Sequence, residues 1–162
     1  MTNPNTSGSP DPSGTRTAHD PLTPRDRAFV ECFESCELPL KEWAHNDHVK
    51  LAYCYLLEHG FDGALERLER GIHAINEVHG VPYTKKTGFH ATFTGGWLSL
   101  VKIVLDASGP SASAGAFIDD HPELTQPKTL RLFYSFGVLG SREAKESFLE
   151  PDLARFPASS PV

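Results

Sequence analysis

Residues 43–60 read WAHNDHVKLAYCYLLEHG, and this stretch decides the fold. Successive residues of a helix advance by about 100°, so side chains three and four apart share a face. On that spacing His45, His48, Ala52, Tyr55, Leu56 and His59 form one continuous face, while Asp47, Lys50 and Glu58 lie toward the other. Gly60 stands where a helix ends, because glycine accepts the left-handed conformation common at that position. The stretch is therefore an amphipathic helix whose buried stripe begins with two histidines.

Working outward, Thr23-Pro24-Arg25-Asp26 supplies a capping hydroxyl, a proline at the first helical position and an acid three residues past the cap. A helix carrying Phe29, Val30, Phe33 and Cys36 follows, and Leu38-Pro39 ends it. Asp62 caps a third helix running to about His79 and Gly80. Thr87-Gly88 opens a fourth through about Asp106. Residues 110–124 and 127–136 read as shorter helices, and Ser141 caps a last one. No alternating strand pattern and no internal repeat is present. The expectation is an all-α fold, a small four-helix-type bundle with short C-terminal helices. Its domain spans residues 23–157, between a disordered tail at 1–22, rich in Pro, Ser, Thr and Gly, and a loose end at 158–162.

The chain has 162 residues and a net charge of −6. That size suits one domain, and the acidic balance argues against nucleic acid, whose phosphates call for clustered Lys and Arg. No run approaches the roughly 20 apolar residues of a membrane span, and no signal peptide is readable, which predicts a cytosolic location. Three cysteines, Cys32, Cys36 and Cys54, are expected as reduced thiols packed between helices. Gly95-Gly96 inside the fourth helix is costly unless something packs closely there.

The histidines carry the functional reading. On the fourth helix His90, Thr94, Trp97, Val101 and Val104 form one face, headed by His90. On the third, Leu65, Leu68, Ile72, Ile75, Asn76 and His79 face inward, whereas His73 falls among Glu66, Glu69, Arg70 and Glu77 on a solvated face. Short connections make consecutive helices antiparallel. The start of the second helix, the end of the third and the start of the fourth then meet at one end of the bundle. There His45, His48 and His90 are the expected metal ligands, and His79 and Asn76 the expected acid–base or ligand-orienting residues. Trp43, Trp97, Phe89, Phe93 and Tyr55 are the expected aromatic surroundings. His59 reads as a helix C-terminal partner, and His19 and His121 as solvent-facing.

A zinc finger from Cys32-x3-Cys36 and His45-x2-His48 has the wrong spacings. A di-iron carboxylate bundle would need a second Glu-x-x-His besides Glu42-x-x-His45. Three imidazoles suit a divalent transition metal, with Cu, Fe, Zn and Ni left open. The expected function is a metal-dependent enzyme acting on a small molecule, with oxidative chemistry slightly ahead. A non-redox hydrolase or lyase is the first alternative, and a non-catalytic metal-sensing or interaction module the second.

Trp43-Ala-His45-Asn-Asp-His48 resembles the W-x-H-x-x-H motif of a widespread, largely uncharacterised bacterial helical family, which continues N-x-x-H-G and then G-Y-H-E-T. The chain is similar to it at Asn76, His79, Gly80, Gly88, His90 and Thr92. Further similarity lies at Tyr134-Ser135, Ser141-Arg-Glu-Ala, Phe148 and Glu150-Pro-Asp-Leu153, so the resemblance covers about residues 29–157. Phe89 replaces the family's Tyr, and Ala91 its Glu. The resemblance implies the same site and names no reaction. A looser similarity connects the chain to DinB-like bundles, which hold a divalent metal through three histidines at other spacings.

Overall fold

The structure, a computed structural model, describes residues 20–158. Residues 1–19 of the expected 1–22 tail, with His19, and residues 159–162 of the expected 158–162 end lie outside the described residues. Among the described residues there are six α-helices and no strand, an all-α fold. None of these helices is long and apolar enough to cross a membrane.

Helix α1 spans Pro24–Glu34 and starts as the sequence prescribes. The Thr23 hydroxyl oxygen accepts from the Asp26 N–H at 3.1 Å, and the hydroxyl donates to the Asp26 carboxylate at 2.7 Å. Asp26 is buried because it also accepts the Ala114 N–H at 3.2 Å, which ties α1 to the start of a later helix. Leu22, assigned to the tail from sequence, packs in the core. An apolar side chain just before a cap commonly packs back onto the helix it precedes.

Helix α2 spans His45–Val78 and is broken at Gly60, whose φ of 65° and ψ of −171° only glycine adopts readily. The chain reverses there. Leu68 and Ile72 reach the same cavity as His45 and Ala52, and Tyr55 and Arg67 both bond the Glu34 carboxylate, at 3.1 and 3.2 Å. The break thus makes two antiparallel arms, 45–59 and 61–78, where the sequence suggested two helices. Helix α3 spans Ala91–Ser108 and packs along α2.

The remainder is shorter than its sequence pattern suggested. Residues 110–124 hold helix α4, Ala114–Asp120, capped by Ser113, and then a 3₁₀ turn over Pro122–Thr125. Residues 127–135 contain only a 3₁₀ turn, Thr129–Leu132. Helices α5 (Phe136–Leu139) and α6 (Arg142–Glu146) complete the fold, each with a serine cap. Segments this short hold through tertiary contacts, since an isolated helix of one or two turns is unstable.

Those contacts converge on α3. A Cβ at Gly95 would lie 2.5 Å from the Phe148 ring, and one at Gly96 would lie 2.9 Å from Leu130. The glycine pair therefore admits the C-terminal segment against the helix. The buried Thr92 hydroxyl donates to the Ser147 carbonyl at 2.9 Å and accepts the Leu149 N–H at 3.0 Å.

Candidate functional site

A cavity of about 380 Å³ opens at the end of the bundle where the first arm of α2, the second arm and the start of α3 meet. His45, His48 and His90 all line it. Trp43, Phe89, Phe93 and Trp97 supply aromatic wall, with Leu68 and Ile72 behind. No lining residue is Asp, Glu, Lys or Arg.

Each imidazole has a distinct set of partners. Nε2 of His45 lies 2.9 Å from the Leu124 carbonyl oxygen. A carbonyl only accepts, so Nε2 carries the ring proton and Nδ1 keeps a bare lone pair. The Trp43 indole N–H donates to Nε2 of His48. Indole only donates, so this Nε2 is bare and the His48 proton resides on Nδ1. His45 and His48 are thus held as opposite tautomers one helical turn apart. Neither Nδ1 has a protein partner, and neither is sealed from solvent, since no buried side-chain nitrogen or oxygen is unpaired among the described residues. His90 differs. Its Nε2–H donates to the Leu139 carbonyl at 3.0 Å, and its Nδ1 accepts the Phe93 N–H at 3.2 Å as the N-cap of α3. Both of its nitrogens are occupied.

Burial favours the neutral ring in all three. Desolvation first and the nearby His45 second, against the opposing charge of Asp47, bring the His48 pKa from 6.5 down to about 4. The same desolvation lowers His45, against the Leu124 carbonyl, which favours its proton. It lowers His90 as well, assisted by the charge of Lys145.

The other expected site residues lie elsewhere. His79 falls past the end of α2 as its C-cap, is exposed, and sits with Nε2 3.3 Å from the Cys36 carbonyl oxygen at the end of α1. Asn76 is half-buried one turn before that end. Neither lines the cavity, because Leu68 and Ile72 take the inward positions there. Tyr55 is also absent from the wall and spends its hydroxyl on Glu34. His73 is exposed as expected, with its ring 4.8 Å from that of Phe89. His59 is exposed beside Glu58, whereas His121 is half-buried as the C-cap of α4, 3.4 Å from a Glu123 oxygen.

Lys145 is a structural surprise. Its ammonium is buried and donates to the Thr87 and Phe89 carbonyls at 3.0 and 2.7 Å, with the Tyr83 ring 4.5 Å away. Desolvation lowers its pKa. Lys145 thereby fastens the segment that delivers Phe89 and His90 to the cavity. Nothing in the Arg-Glu-Ala-Lys-Glu pattern of α6 signals that role, because charged short helices are usually solvated on every side.

Chemically, two residues of this largely apolar, aromatic wall each keep one ring nitrogen without a protein partner: an acceptor, His45 Nδ1, and a donor, His48 Nδ1–H. As held here the three imidazoles do not fit a metal. One lone pair is open, while those of His48 Nε2 and His90 Nδ1 are spent on N–H donors. Among the described residues no group of three or more His, Cys, Asp or Glu is gathered as a metal site. Comparison with known proteins returns no family model, curated protein or solved structure significantly similar to the chain.

Proposed function

We propose that this protein is an enzyme acting on a small molecule in the histidine-lined cavity, with His45 and His48 meeting the reacting atoms. The observation that carries this reading is the pairing of two neutral imidazoles of opposite tautomer on one apolar wall. His45 Nδ1 can take a proton from a substrate, and His48 Nδ1–H can stabilise charge on the atom that loses it. Burial lowers the His45 pKa from its ordinary value, which favours the unprotonated ring a base requires. A net charge of −6 supports a small molecule over nucleic acid as the partner.

A screen of small neutral molecules by thermal shift, with product analysis of the hits, tests this. A ligand at 100 times its Kd stabilises by about 2.7 kcal/mol and raises Tm by several degrees. Hits should lose their effect in His45→Ala. Equal shifts in wild type and variant would overturn the reading.

The convergence of three imidazoles favours a second reading, in which a divalent transition metal (Cu, Fe, Zn or Ni) binds here for oxidative, or else hydrolytic or lyase, chemistry, or for metal sensing. His48 would have to leave Trp43, and His90 its cap, each exchange costing about 1 kcal/mol. Elemental analysis decides it. Close to one equivalent of metal per chain, lost in His48→Ala, supports this reading, and a metal-free protein after reconstitution removes it.

A further inference from the structure

The geometry points to the class of molecule the cavity takes: a neutral aromatic compound bearing a hydroxyl group, whose O–H donates to His45 Nδ1 while its oxygen accepts from His48 Nδ1–H. This rests on the proposal that the cavity is the functional site.

Charge selects a neutral ligand. A cation would find no carboxylate among the lining residues, and an anion no lysine or arginine. Helices α2 and α3 both begin at the cavity, but their positive ends are already answered. The Asp47 carboxylate sits in the first turn of α2 and accepts the Ala44 N–H at 3.0 Å, while His90 takes the Phe93 N–H.

Hydrogen bonding selects a hydroxyl. The two imidazoles are locked in complementary states by the Leu124 carbonyl and the Trp43 indole, so the pair presents one acceptor and one donor. A hydroxyl is the smallest group that both donates and accepts, so it matches the pair in kind. An ether or ketone would leave His45 unpaired, and a hydrocarbon both. Such unpaired groups are what make polar sites discriminate strongly.

Size and surface select the ring. About 380 Å³ is near the lower end of the roughly 300–1,000 Å³ span of small-molecule sites, enough for one or two rings. Trp43, Trp97, Phe89 and Phe93 provide faces and edges for offset or T-shaped packing.

The chain contains two tryptophans, and both line the cavity, so intrinsic fluorescence reports its occupancy directly. The experiment titrates chelator-treated full-length protein with 4-ethylphenol, with 4-ethyltoluene (a methyl in place of the hydroxyl) and with 4-ethylbenzoate. The expected result is binding of 4-ethylphenol at least about tenfold tighter than either of the others. His45→Ala and His48→Ala should each erase that preference, the ratio of the phenol to the 4-ethyltoluene affinity falling to about one. Equal binding of the phenol and its methyl analogue, or tighter binding of the benzoate, overturns the inference and leaves the cavity standing as a site. Absence of quenching by all three overturns the inference and the proposed site together. The wild-type comparison decides the matter even where a histidine variant fails to fold.

Discussion

The Trp43 indole N–H donates to Nε2 of His48 five residues later, and this contact sets the tautomer of an imidazole on the cavity wall. The same indole stacks on Phe33 with ring centroids 5.5 Å apart, so it is anchored on its far face by the end of α1. Trp43→Phe keeps most of that stacking and removes the donor. The expected loss is about 1 kcal/mol of stability by chemical denaturation. His48 should then populate its other tautomer, visible in its ring nitrogen shifts.

Stability should fall on mild acidification. Folding holds the His48 pKa at about 4, below its ordinary 6.5, because the buried ring resists charge. Between those values the unfolded chain binds more protons than the folded one, so stability rises with pH across that window and is lost as pH drops through it. For His48 alone the difference is about 3 kcal/mol. Urea denaturation at pH 7 and pH 4 should register the loss, and His48→Gln should remove that portion of it. An unchanged pH dependence in the variant would contradict the burial argument.

Gly95→Ala tests the packing that seats the C-terminal segment. Alanine gains up to about 1 kcal/mol of helix propensity, but its Cβ would meet the Phe148 ring at 2.5 Å. Overpacking of this kind costs about 1–3 kcal/mol, so a net fall in Tm is expected. Phe148→Ala should relieve the clash, and a double variant no less stable than Phe148→Ala alone would demonstrate it.

Much of this molecule is legible in one dimension. Thr23-Pro24 announces α1 through local hydrogen bonding, and Gly60 announces the reversal because only glycine rests easily at its dihedral angles. Helical periodicity together with short connections brings His45, His48 and His90 to one bundle end. What periodicity cannot provide are partners drawn from segments without it. The Leu124 and Leu139 carbonyls that orient two of the imidazoles come from a 3₁₀ turn and a four-residue helix. His79 shares the inward face on a helical wheel, yet the helix ends at Val78, and the wheel does not apply beyond it. Lys145 is invisible for a related reason: its burial depends on carbonyls some 56–58 residues distant.

The cysteines should separate by reactivity. Cys54 is fully buried in α2, and burial pushes its thiol up to about 12, whereas Cys32 and Cys36 are half-buried. Since the thiolate is the reactive form, native protein at pH 8 should titrate two thiols with a disulfide reagent and three after denaturation. Rapid modification of Cys54 in the native state would show that the first arm of α2 opens locally.

The central claim is that His45 and His48 form a complementary acceptor–donor pair facing the cavity. Long-range nitrogen–proton NMR correlation of the imidazoles at neutral pH tests it most directly. The expected result is two neutral rings of opposite tautomer, with the proton on Nε2 in His45 and on Nδ1 in His48. Two rings of the same tautomer, or imidazolium at both positions, would contradict it.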